Sequence, residues 1–91
     1  MKTPIIIRLE YTGIGPDAGR KYKWRVWREP RVHGRRFDAN LKKWVGDTGP
    51  QWAFEDSEGY VRYIGETWAV AVQRLHGYVE SYGMKLLQQL S

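Results

Sequence analysis

The hydrophobic pattern of the chain keeps helical periodicity over one long segment, residues 66–82. Its apolar residues recur three or four positions apart on one stripe, at Trp68, Ala71, Val72, Leu75, Val79 and Tyr82. The Thr67 hydroxyl is suited to cap the first turn, and Gly83 can end the helix in the left-handed conformation. The pattern predicts an amphipathic helix over residues 66–82 whose apolar stripe packs in the core and does not serve as a binding groove.

Period-two alternation predicts strands before this helix. In residues 4–11, Ile5, Ile7 and Leu9 share one face. A second strand, residues 20–28, has two contrasting faces: one carries Tyr22, Trp24 and Val26, and the other carries Lys21, Lys23, Arg25 and Trp27. The joining loop contains a Gly-x-Gly, but it lacks the third glycine and the following helix that a phosphate loop requires. The clearest hairpin is predicted at residues 51–64, with Gly59 free to take a positive φ in its turn.

Two segments fit more than one structure. Residues 37–45 have helical spacing but are short and lie between glycine-rich turns, which favours a third strand or an excursion packed by Trp44; one or two helical turns are the alternative. Residues 84–90 fit an edge strand or a frayed helical tail. Together the elements predict one α+β domain over residues 1–91, with a mostly antiparallel sheet of four to five strands packed on one face by the single helix.

Composition narrows the class of protein. The 91 residues include no cysteine, which excludes disulfides and fits a reducing, cytoplasmic environment. The longest apolar runs, such as the one at residues 5–7, fall far short of the ~20 residues of a membrane span, and residues 1–10 lack the apolar stretch of a signal peptide. We therefore expect no membrane association. An unpaired sheet edge at residues 4–11 or 84–90 could join two copies in a homodimer.

The distribution of charge indicates the class of partner. The net charge is +5, but residues 20–43 hold ten of the fifteen lysines and arginines against Glu29 and Asp38, so this segment carries +8 and the remainder −3. Segregated charge of this kind attracts polyanions. It suits a nucleic-acid backbone, because cations release counterions from phosphate while an exposed aromatic ring can stack on a base.

We therefore expect a nucleic-acid-binding protein that uses a basic sheet face and an arginine loop, with Trp27 as the stacking residue. The predicted binding residues are Lys21, Lys23, Arg25, Trp27, Arg28, Arg31, Arg35 and Arg36. Nothing in the sequence indicates base-specific readout. Arginine forks bind carboxylates as well as phosphates. The alternative is therefore a small protein-interaction module, such as an inhibitor or adaptor from a mobile element, that binds an acidic protein surface.

The sequence offers little for catalysis or metal binding. His33 and His76 are far apart, and neither has a second ligand at a short spacing. Glu55, Asp56 and Glu58 cluster at the predicted hairpin turn, but their order matches no calcium loop. We expect these carboxylates to solvate the turn or to balance weakly the positive charge of the basic segment. No enzyme activity, cofactor or metal is predicted.

The order of a hairpin followed by an amphipathic helix, between Trp52 and Tyr82, loosely resembles the DNA-binding modules of phage integrase arm-binding domains and some plant transcription factors. In those modules, a three-stranded sheet backed by a helix reads the DNA groove. The basic residues here lie upstream of the hairpin, and the hairpin itself is acidic. The resemblance therefore implies a class of fold and no site residues.

Overall fold

The helix and strands are described by a computed structural model covering residues 3–47 and 49–90. In chain order they are β1 (Ile5–Tyr11), β2 (Lys21–Glu29), β3 (Arg36–Asp38), β4 (Lys43–Val45), β5 (Gln51–Glu55), β6 (Val61–Gly65), α1 (Trp68–Ser81) and β7 (Met84–Leu86). Five strands form one antiparallel sheet in the order β6-β5-β2-β1-β7, and β3 pairs with β4 in a separate hairpin. The predicted α+β class, with one helix packed on an antiparallel sheet, is confirmed.

The helix begins and ends at the residues that its sequence signals indicate. The Thr67 hydroxyl accepts a hydrogen bond from the Val70 backbone N–H at 3.3 Å. After the C-cap residue Tyr82, Gly83 takes a φ of +71°, as predicted. Ala71, Leu75 and Val79 are buried. The predicted stripe is therefore the face that packs on the sheet.

The junction between β6 and the helix depends on a glycine. Gly65 has a φ of +141°, which side chains with a Cβ rarely adopt. A Cβ at this position would also lie 2.8 Å from Val70 Cγ1. The chain can therefore turn from the strand into the first helical turn within two residues only because residue 65 has no side chain.

The core is centred on two stacked aromatic rings between sheet and helix. The Trp24 and Phe54 rings lie 4.9 Å apart at 21°, and Tyr82 meets Trp24 edge-on at 5.0 Å. Both stacked side chains are fully buried. The surrounding cluster is aliphatic and comes from both layers: Ile7, Leu9, Val26, Ile64, Ala71, Leu75 and Val79. Burial of this apolar surface is the main force that holds helix to sheet.

A polar network closes one end of the core. The buried Asp56 carboxylate accepts hydrogen bonds from the backbone N–H groups of Glu58 (2.9 Å) and Tyr60 (3.0 Å), and from the Tyr82 hydroxyl (2.8 Å). Arg62 Nη2 donates to the same hydroxyl at 3.2 Å. Burial alone would raise the pKa of Asp56, but these hydrogen bonds outweigh burial and hold the pKa below its ordinary value. Asp56 is therefore buried and builds the turn, whereas it was expected to solvate the turn.

The two ambiguous segments both form strands. Residues 37–45 contribute to the β3–β4 hairpin, in which Phe37 lies opposite Trp44. The strand interpretation is confirmed, but Trp44 is exposed and does not pack the excursion onto the domain. Residues 84–86 form β7, which pairs with β1. Leu86 lies opposite Leu9, so the edge-strand prediction is confirmed for this part of the segment.

The placement of β7 changes which strands are edges. Of the two candidate edges, β1 lies between β2 and β7, which pairs with Leu9–Tyr11, so that part of β1 is not a free edge. Beyond β7, the Leu87 N–H donates to the Arg8 carbonyl at 3.0 Å, and the Gln88 side chain accepts from the Arg8 N–H at 3.2 Å. β7 is an edge of the sheet, and pairing of two copies through it stays a prediction. None of the helices in residues 3–47 and 49–90 is long and apolar enough to cross a membrane.

Candidate nucleic-acid interface

The outer face of the sheet, which faces away from the helix, carries the cations that the alternation of β2 predicts. Trp24 and Val26 are fully buried, whereas Lys21, Lys23 and Arg25 are exposed. Apolar and basic side chains of β2 are therefore sorted to opposite sides of the sheet.

Carboxylates of the neighbouring strands compensate two of these three cations. Lys21 Nζ lies 2.5 Å from Glu10 Oε1 on β1, and Arg25 Nη2 lies 2.5 Å from Glu55 Oε1 on β5. The hydrogen bond from Lys21 holds the pKa of Glu10 below its ordinary value. The face is therefore a mixture of paired charges, and its capacity to attract a polyanion is smaller than the sequence suggests.

Lys23 differs from its two neighbours. It lies directly opposite Arg8 of β1, so two cations face each other across the strands. Neither makes an ion pair with any residue of the described ranges. Like charges placed directly opposite each other repel. The Arg8–Lys23 pair is therefore the part of the sheet face that keeps uncompensated positive charge.

Trp27 does not present the exposed indole that was expected. Its side chain is half-buried, and its Nε1–H donates to Glu29 Oε2 at 2.9 Å. It lines a depression of about 530 Å³ together with Arg25, Glu29 and Glu55. Because carboxylates flank this depression and the indole is partly covered, Trp27 is a poor stacking platform.

Arg28 and Arg31 lie at and beyond the end of β2. Arg28 lies opposite Trp52 and has the parity of the helix-facing residues, but it lines the same depression as Arg25 and Trp27. Its assignment as a binding residue stays a prediction. Arg31 is exposed in the loop that follows β2, immediately before the buried Val32. Of these two arginines, Arg31 is the one that stands in solvent near the β3–β4 hairpin.

Alternation within the hairpin places Arg35 and Arg36 on opposite faces. Arg36 is partly buried, and its guanidinium lies 4.6 Å from the centre of the Tyr63 ring on β6. Asn40 adds a hydrogen bond from its side chain to the Tyr63 carbonyl at 3.2 Å. Arg36 therefore holds the hairpin against the sheet, and its assignment as a phosphate-binding residue stays a prediction.

The outward face of the hairpin, defined by Arg35, Phe37 and Trp44, is an exposed aromatic and basic surface. The Phe37 and Trp44 rings lie 5.9 Å apart at 75°, and the two side chains are 53% and 61% exposed. The Arg35 guanidinium lies 5.7 Å from the Trp44 ring centre. The sequence patterns did not single out Phe37 or Trp44 as binding residues. Phe37 follows Arg35 by two residues, so alternation places these two on one face. Trp44 joins them only because the strand register sets it opposite Phe37.

The carboxylates near the hairpin are engaged elsewhere. Asp38 Oδ1 accepts hydrogen bonds from the backbone N–H groups of Asn40 (2.9 Å) and Leu41 (3.1 Å), which builds the hairpin tip. Asp47 accepts from the Gly34 N–H and lies 3.9 Å from His33 Nδ1. Four cations of residues 31–45 make no ion pair with any residue that the structure describes: Arg31, Arg35, Lys42 and Lys43. Their positive charge is therefore open to a ligand.

No family model, curated protein or solved structure matches this chain. In the part of the chain that the structure describes, no three histidine, aspartate or glutamate side chains converge on a point where they could hold a metal ion.

Proposed function

We propose that this protein is a non-catalytic nucleic-acid-binding protein whose binding surface is centred on the hairpin segment, residues 31–45. The observation that carries the proposal is the combination of uncompensated cations with exposed aromatic rings. Arg35, Phe37 and Trp44 share the outward face, and Arg31, Lys42 and Lys43 add charge around it. Uncompensated cations release counterions from a phosphate backbone, and exposed rings stack on bases.

Arg8 and Lys23 supply a second contact on the sheet face. Because these two cations face each other without a carboxylate between them, a bound phosphate would relieve their repulsion. Lys21 and Arg25 already have carboxylate partners and contribute less. We therefore propose the hairpin as the main binding surface, in place of the β2 face that the sequence predicted, with Arg8 and Lys23 as an auxiliary region.

The proposal is tested by titrating labelled single-stranded and duplex DNA and RNA at two salt concentrations. If the four hairpin cations contact phosphates, affinity falls about a hundredfold between 50 and 200 mM salt. The double variant Arg35→Gln with Lys42→Gln weakens binding. The matched control, Lys21→Gln with Arg25→Gln, removes the same formal charge from the paired cations and weakens binding much less. Absence of binding to every nucleic acid at low salt would overturn the proposal.

One feature favours a protein partner as the second candidate. Leu41 at the hairpin tip is 53% exposed, and it adds an aliphatic contact beside Phe37 that phosphates do not need. Aromatic side chains and arginine are also enriched at protein hot spots. A partner retained on the immobilised protein after nuclease treatment, and lost in the variant Arg35→Glu with Lys42→Glu, would support an acidic protein surface as the ligand.

A further inference from the structure

We infer that the ligand of the hairpin is single-stranded nucleic acid, whose unpaired bases stack on Trp44 and Phe37. The inference deepens the proposed function and rests on it. It concerns which form of nucleic acid is bound and which groups bind it, since the cations alone attract any phosphate backbone.

The exposure of the rings is the first support. Both side chains are more than half exposed, and the hairpin carrying them is held to the domain through its opposite face, by Arg36 and Asn40 on Tyr63. The outward face therefore does not serve to attach the hairpin. Exposed rings beside cations form the usual platform for unpaired bases.

The relative orientation of the rings is the second support. Their planes are inclined at 75° with centres 5.9 Å apart, so bases stacked on Trp44 and on Phe37 cannot belong to one continuous column. The strand must bend between them. Paired bases within a duplex keep their faces stacked on each other, whereas a flexible single strand can present its bases separately.

The placement of charge matches a strand that follows the hairpin. Arg35 lies over the Trp44 ring, where its guanidinium can contact the phosphate next to a stacked base. Lys42 occupies the tip with a φ of +57° and is exposed. Cations therefore lie at both ends of the aromatic pair. Because every base has a π-face, recognition at this surface should tolerate many sequences.

The test compares a labelled mixed-sequence single strand with the duplex of the same sequence, by fluorescence anisotropy at low salt. We expect the single strand to bind more tightly, and Trp44→Ala to weaken its binding roughly tenfold or more. Trp44→Phe should retain most of the affinity, because it keeps a ring. Tyr60→Ala is the matched control, since Tyr60 is also an aromatic residue with 61% exposure but lies in the acidic turn between β5 and β6.

The outcomes separate this inference from the proposed function. Equal binding of duplex and single strand, with no loss in Trp44→Ala or in Phe37→Ala, would overturn stacking while leaving electrostatic binding of nucleic acid intact. Failure of both nucleic acids to bind would overturn the two proposals together. Circular dichroism melts of the alanine variants verify that the hairpin substitutions leave the domain folded.

Discussion

Two aromatic pairs in this domain have similar chemistry and opposite surroundings. The Trp24 and Phe54 rings stack nearly parallel at 4.9 Å and are fully buried between sheet and helix. The Phe37 and Trp44 rings meet at 75° on the hairpin and are more than half exposed. The buried pair stabilises the fold through apolar burial, whereas more than half of the exposed pair's surface lies in water, where a ligand can cover it.

The cations show the same contrast. Lys21 and Arg25 on the sheet face lie beside Glu10 and Glu55, so their charge is compensated within the fold. Arg35 on the hairpin contacts a ring instead of a carboxylate. The net charge of each segment therefore overestimates how strongly the sheet face attracts a polyanion. It underestimates how strongly the hairpin does so.

The largest expected effect is a difference in unfolding free energy between variants of the two aromatic pairs. Trp24→Ala should lower the free energy of unfolding by ~3–5 kcal/mol, because it leaves a cavity at the centre of the core. Trp44→Ala should change it by no more than about 0.5 kcal/mol, since the side chain is exposed. Urea denaturation of both variants measures the difference. A similar loss in both would mean that the hairpin pair also holds the fold.

A smaller loss is expected at the polar network that closes the core. Tyr82→Phe removes the hydroxyl that donates to Asp56 and accepts from Arg62, and should cost about 1–2 kcal/mol. Tyr60→Phe is the control, because the Tyr60 side chain is exposed. Denaturation midpoints of the two variants give the comparison. If they coincide with each other, the network contributes nothing to stability.

The same network predicts a dependence of stability on acid. The folded-state pKa of Asp56 lies below its unfolded value, so the contribution of this carboxylate is complete well above the ordinary carboxyl pKa of ~3.9. It is lost as the pH falls through the lower folded value. We expect Asp56→Asn to flatten the decrease in unfolding free energy over this acidic range. Glu58→Gln, which alters an exposed carboxylate in the same turn, should leave the slope nearly unchanged.

The smallest expected effect concerns single charges in binding. Arg35→Gln should reduce the slope of log affinity against log salt by about one, as expected when one phosphate contact is lost. Arg25→Gln should leave the slope nearly unchanged, because Glu55 already compensates Arg25. Titrations across a salt series distinguish the two variants. If Arg25→Gln changed the salt slope more than Arg35→Gln, the sheet face and not the hairpin would be the main binding surface.

Much of the fold follows from short-range patterns. The helix cap at Thr67, the ending at Gly83 and the alternation of β2 were all predictable, because each depends on neighbouring residues in one element. The candidate site was predictable only in part. Arg31 and Arg35 are exposed as expected, whereas Arg28 and Arg36 are partly buried. Trp27 is half-buried, and Trp44 takes its place as the exposed indole.

The sequence by itself determined the type of each element and which side chains share a face, because periodicity is a property of the local backbone. Only the tertiary structure decided which charges are compensated. Glu10 and Glu55 are distant from their partners in the chain, and the strand register brings them within 2.5 Å of Lys21 and Arg25. The tertiary structure likewise left Phe37 and Trp44 in solvent, since the exposure of a hairpin face depends on how the hairpin docks on the sheet.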